Sequence, residues 1–184
     1  VRNFSLSIPT KTYLKKYLYK RYGYPIQINN QTLIGIVVGS ILEKKVHDNN
    51  PKEDRENKFA TFSDKLELVI PAYKIYSYEQ GLHVSKKKAI VINRYFEVQF
   101  EEDLYRYCLH NTDPVSRNLN YKGRGGCGYD KAIINFASQY NLEIDVDITF
   151  ESMKKNEYRF RKKIESLSCG NVPSNFSNLQ PTFF

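Results

Sequence analysis

The chain has 184 residues, 41% of them hydrophobic, with 28 Lys and Arg against 20 Asp and Glu, a net charge of +8. That length and apolar content argue against wholesale disorder and allow one sizeable domain or two small ones, while the charge favours a polyanionic partner, nucleic acid or an anionic surface. Cys108, Cys127 and Cys169 show no CxxC spacing, which argues against a zinc site or a secreted disulfide framework, and no run reaches the roughly 20 apolar residues of a membrane span.

The first residues, VRNFSLSIPTKTYLKK, lack the apolar stretch of a signal peptide, so a reducing, intracellular setting is expected. Phe4, Leu6 and Ile8 alternate with polar residues and predict a half-buried strand closed by Pro9. Thr10 is the expected cap of a helix carrying Tyr13, Leu14, Tyr17 and Leu18 at helical spacing, ended by Gly23 and Pro25. Lys11, Lys15, Lys16, Lys20 and Arg21 fill the rest of that helix. They read either as a solvated face or as a secondary basic patch for phosphates, with tyrosines available for stacking.

Asn29-Asn30 is the expected cap of a second helix, apolar on most sides through Leu33, Ile34, Ile36, Val37, Val38, Ile41 and Leu42, which belongs in a core. Gly35 and Gly39 lie four apart, a spacing that allows close helix packing. Residues 46–63 are polar and read as an exposed loop. The phrase LELVIP (67–71 with Leu66) then rhymes with FSLSIP near the start, which suggests adjacent, antiparallel strands in a small sheet.

Ser85 is placed to cap a long helix with a buried line of Ala89, Ile92, Phe96, Phe100, Leu104 and Cys108. Its outer face is expected to be acidic, through Glu97, Glu101, Glu102 and Asp103. Positive charge therefore concentrates at the first helix and the last. The link that follows, residues 112–128, is glycine-rich. It is not a Walker A motif, and it reads as a flexible connection or as backbone phosphate contact with Lys122 and Arg124.

Residues 129–168 predict a unit like a helix-turn-helix. Ile133, Ile134, Phe136, Ala137 and Tyr140 form the apolar face of a supporting helix, and Leu142, Ile144 and Val146 alternate with acidic residues in the corner. Thr149 caps the second helix, Glu151 suits its first turn, and Met153, Tyr158 (or Phe160) and Ile164 are the expected buried stripe. Lys154, Lys155, Arg159, Arg161, Lys162 and Lys163 make its outer face basic, either for groove and phosphate contacts or as a solvated surface. The corner is longer than the usual three or four residues and has no glycine. Residues 169–184 read as an extended tail, whose terminal Phe183 and Phe184 suit docking on a neighbouring chain.

An active site is not expected. His47, His83 and His110 lie far apart without metal-ligand spacing, no GxSxG occurs, and Cys127 has no sequence-local base. Asp145 and Asp147 would share a side if extended, as a metal-dependent nuclease could use, but nothing marks a third carboxylate. No cofactor or metal is expected.

The phrases IPTKTYLKKYLYKRYG, TLIGIVVGSILEK and ITFESMKKNEYRFRKK resemble small proteins of phages and mobile elements in Bacteroidetes-type bacteria. The last phrase carries the pattern through Ile148, Phe150, Glu151, Met153, Lys154, Lys155, Tyr158, Arg159, Phe160, Arg161 and Lys162. The resemblance implies a setting, the cytoplasm of a bacterial host or a virion, and no activity. The expectation is a helix-rich α+β protein: an α+β domain over 1–111, the link, the helix-turn-helix-like unit and the tail. The expected function is non-enzymatic binding of DNA, with RNA as the other polyanion and no membrane partner. The alternatives are a virion-associated or assembly protein docking through its tail, and a small adaptor for a host protein.

Overall fold

The computed structural model describes residues 4–29, 31–41, 43–44, 62–70, 82–84, 86–112 and 127–168. Strand β1 (Phe4–Thr10) runs antiparallel to β4 (Asp64–Ile70), from Phe4 opposite Ile70 to Thr10 opposite Asp64. The short β2 (Ile26–Gln27) adds parallel on the other side, so β4 is the central strand. Alternation decides which face is inside: Leu6 and Ile8 of β1 and Leu66, Leu68 and Ile70 of β4 are buried. The two rhyming phrases thus pair as expected. Pro9 does not close β1, which continues through it; β1 is an edge strand, where a missing N–H is tolerated.

Helix α1 (Thr12–Tyr22) buries Tyr13, Leu14, Tyr17 and Leu18 and ends at Gly23, whose φ of +86° suits glycine and whose N–H reaches the Tyr19 carbonyl. Thr10 is not its cap. The Thr10 hydroxyl donates instead to Oδ1 of buried Asn93 at 2.6 Å, and the Asn93 amide donates to the carbonyls of Pro9 and Ala89. A long-range bond has taken the group that the local pattern assigned to capping.

Helix α2 (Leu33–Ile41) is capped by Thr32, whose Oγ1 accepts the Gly35 N–H at 3.2 Å; Asn29 instead makes the turn before it, accepting from Gln31 and Thr32. Gly35 faces the Asn29 carbonyl of this same turn, where a Cβ would collide, so its small size serves the helix entry. The helix is not a core helix on most sides: Ile34 and Val38 are buried, but Leu33 and Ile36 are 61% and 55% exposed. Strands β3 (Glu43–Lys44) and β5 (Leu82–His83) form a separate antiparallel pair.

Helix α3 (Lys86–Asn111) is the long central helix, with Ala89, Ile92, Phe96, Phe100, Leu104 and Cys108 all buried as the spacing predicts. Helices α4 (Cys127–Gln139) and α5 (Phe150–Ser168) both lie against it, and each touches α3 more than it touches the other. α4 begins inside the stretch expected to be link, and Ile134 is exposed while Ala132, Ile133, Phe136 and Ala137 are buried. Phe136 joins the core through ring contacts with Phe100, Tyr107 and Tyr140. The architecture is helix-rich α+β, with helices packed on a small sheet and a C-terminal helix–corner–helix unit.

Candidate nucleic-acid interface

The corner between α4 and α5 is a set of turns. Asn141 takes the left-handed conformation, φ +55°, that glycine would otherwise supply; the Leu142 N–H returns to the Ala137 carbonyl at 2.8 Å and the Asn141 N–H to Ser138 at 3.1 Å. These two bonds and the burial of Leu142 are the helix-ending pattern usually built on glycine. Beyond it, Asp145 also has positive φ, +67°, and Val146 points out at 76% exposure, so the corner is not extended and the alternation of Leu142, Ile144 and Val146 with acidic residues does not make one buried face. The Asp147 carboxylate turns inward, accepting the Glu143 N–H at 2.8 Å and a bond from Lys16 at 2.7 Å. Asp145 Oδ1 accepts the Phe150 N–H at 3.3 Å. Both aspartates therefore hold the corner together, and no group of three or more His, Cys, Asp or Glu among the described residues could hold a metal ion.

Thr149 caps α5 as predicted, its Oγ1 accepting the Ser152 N–H at 3.2 Å. Met153 and Phe160 are buried and Ile164 is half-buried, which leaves Tyr158 on the outside, 41% exposed. The inner face also carries Glu157, buried at 3% exposure, whose Oε2 accepts the Tyr129 hydroxyl at 2.5 Å. Burial, with this bond to a carboxylate, pushes the Tyr129 hydroxyl well above the usual phenol range. Arg161 turns toward the same carboxylate, 3.8 Å away, with its side chain only 13% exposed. Its side chain is therefore largely withdrawn from the outer basic face to which its charge assigned it.

The outer face of α5 keeps the other cations. Lys155, Arg159 and Lys163 recur every four residues, all exposed and with no ion pair among the described residues. Beside them run Lys154, Tyr158 and Lys162. Lys154 lies 3.3 Å from Asp130 of α4 and 5.2 Å over the Phe150 ring, and Lys162 pairs with Glu165 at 2.8 Å. Arg159 also lines a cleft of about 460 Å³ whose lining includes Glu97 and Glu101 of α3.

On α1, most cations of the expected secondary basic patch are ion-paired. Lys11 pairs with Glu97 at 2.7 Å, Lys15 with Asp64 at 2.7 Å, Lys16 with Glu143 at 3.1 Å and with Asp147, and Arg21 with Asp103. Lys20 is exposed and has no such partner among the described residues. Of the acidic residues of α3, expected on an outer face, Glu97 and Asp103 are the other half of this arrangement, with side chains 19% and 21% exposed, while Glu101, 15% exposed, faces Arg94 of its own helix. The complementary runs of Lys and Glu on two helices were the available signal, and only their packing turns it into pairs. Lys122 and Arg124 lie outside the described residues, as do Phe183 and Phe184 of the tail and most of the expected 46–63 loop.

Among the described residues no helix is long and apolar enough to cross a membrane. Comparison with protein-family models, curated proteins and solved structures finds no match to this chain.

Proposed function

We propose that the chain binds nucleic acid, DNA in the first place, without catalysing a reaction on it, and that the outer face of α5 makes the contact. One observation carries this reading: the cations of α1 are largely neutralised by neighbouring carboxylates, whereas Lys155, Arg159 and Lys163 of α5 form an exposed row with no such partner among the described residues. Eight residues of helix place the row along about 12 Å, enough for several phosphates of one strand. The contacts are chiefly to phosphates, so affinity comes before sequence preference. A phage or mobile element, the setting of the proteins it resembles, belongs to the same proposal.

The test is binding of a fluorescent mixed-sequence duplex over a range of salt. Replacing Lys155, Arg159 and Lys163 together with Gln should lower the magnitude of the log–log salt slope by roughly 3, at about 0.9 per phosphate. An unchanged slope, or no binding by the parent at low salt, would sink the reading. The alternative of a protein that docks on other subunits draws on the exposed Leu33 and Ile36 of α2. It predicts self-association or partner capture that responds to Leu33→Ser with Ile36→Ser, or to removal of residues 171–184, and that ignores α5.

A further inference from the structure

Between the start of α4 and the first turns of α5 lies an open groove of about 530 Å³, lined by Tyr129, Glu151, Ser152, Lys154, Lys155 and Tyr158. Its size is within the roughly 300–1,000 Å³ range of small-ligand sites. The lining brings together three kinds of chemistry. Tyr158 offers an exposed aromatic ring, approached by Arg161 at 5.6 Å and Lys162 at 6.0 Å. Tyr129 contributes a ring whose hydroxyl is already committed to Glu157, so it serves as an apolar wall. Lys155, which has no ion pair among the described residues, and Lys154, 3.3 Å from Asp130, supply positive charge, and Glu151 and Ser152 supply hydrogen-bond acceptors.

We infer that this groove takes an unpaired nucleotide, its base stacked on Tyr158 and its phosphates on Lys154 and Lys155, so that the preferred partner is single-stranded or locally unpaired nucleic acid. The inference rests on the α5 reading and deepens it. A perfect duplex keeps its bases stacked inside and can meet these lysines only with phosphate; an aromatic ring is useful only to a base that has left the stack. The cation-decorated ring and the adjacent lysines are the combination that holds single strands with little sequence preference.

The experiment compares three labelled probes at equal salt: a mixed-sequence single strand, the perfect duplex, and the duplex carrying one unpaired 2-aminopurine. The expected result is tighter binding of the single strand and the bulged duplex, with 2-aminopurine emission falling on binding. Tyr158→Ala should weaken both by roughly 10-fold or more and leave the perfect duplex unaffected, while Tyr158→Phe keeps the preference. Tyr158 is exposed, so thermal melting should show both variants folded. Equal binding of all three probes, unmoved by Tyr158→Ala, would overturn the groove and leave the phosphate row of α5 standing. Absence of binding to every probe at low salt would overturn both.

Discussion

Lys16 of α1 donates to the Asp147 carboxylate at 2.7 Å, across 131 residues of chain. Asp147 is 3% exposed at its side chain and also accepts the Glu143 N–H, so one carboxylate both closes the corner before α5 and ties that corner to α1. The orientation of the proposed binding helix therefore depends on a helix that has almost no free charge of its own.

Replacing Asp147 with Ala leaves the Glu143 N–H without its acceptor and Lys16 with only the exposed Glu143 carboxylate, and should cost about 1–3 kcal/mol. Lys16→Gln should cost less, because the backbone bond survives. Chemical denaturation of the two variants beside the parent gives the comparison, and equal losses would mean that the carboxylate acts only through Lys16.

Glu97 and Glu101 lie one turn apart on α3 and answer acid in opposite ways. Burial pushes Glu97 up, but hydrogen bonds from Lys11 and Arg94 outweigh it and hold its carboxyl below the ordinary range. Its contribution is present above the unfolded-state pKa and is lost as pH falls through the folded one. For Glu101, burial wins over the attraction of Arg94 at 3.6 Å, and the carboxyl is raised; stability is then lost as pH rises through the folded value. At neutral pH, Glu97→Gln should lower stability by about 1 kcal/mol, whereas Glu101→Gln should leave it unchanged or raise it. Melting temperatures across the acid range should show both variants converging on the parent once both carboxyls are protonated.

Arg161 and Arg159 are two residues apart and should fail differently. Removing Glu157 or Arg161 breaks a buried pair, at a cost of roughly 3 kcal/mol, while leaving the salt dependence of DNA binding nearly intact in the folded fraction. Arg159→Gln should do the reverse, reducing the salt slope by about 1 with little change in melting temperature. A common effect of both arginines on the slope would place Arg161 at the interface after all.

Asn141 stands where a glycine was missed in the sequence. Asn141→Gly should be nearly neutral, since glycine adopts φ +55° without strain, and Asn141→Val should cost about 1–2 kcal/mol. Denaturation midpoints of this pair distinguish backbone strain from loss of the side chain.

Apolar periodicity carried the legible part of this fold. The α3 line from Ala89 to Cys108, the alternation of β1 and β4 and the buried stripe of α1 follow from it, and the Thr149 cap follows from a local bond. Polar residues were misread wherever their partners lie far along the chain. Thr10 looked like a cap because Asn93 is 83 residues away, and the α1 lysines looked free because their carboxylates sit on α3, β4 and the corner. Glu157 interrupts an apolar stripe, and the Tyr129 hydroxyl opposite, with Arg161 beside it, explains it. Of the candidate site, Lys155, Arg159 and Lys163 stand on the outer face as their spacing suggests, and the groove beside them needed α4 in place to be visible.

The central place of β4 has a consequence for synthesis. β1 and β2 both precede β4 in the chain, and each pairs with it alone among the described strands. Neither can join a sheet until residues 64–70 have left the ribosome, so β1, which ends at Thr10, emerges well before the template that starts at Asp64. Joining ends so far apart adds little closure entropy per extra residue, but it slows folding. The apolar face of β1, Leu6 and Ile8, and its unpaired backbone wait exposed during that interval, and a nascent chain whose residues 64–70 have not emerged would be the state most in need of a chaperone.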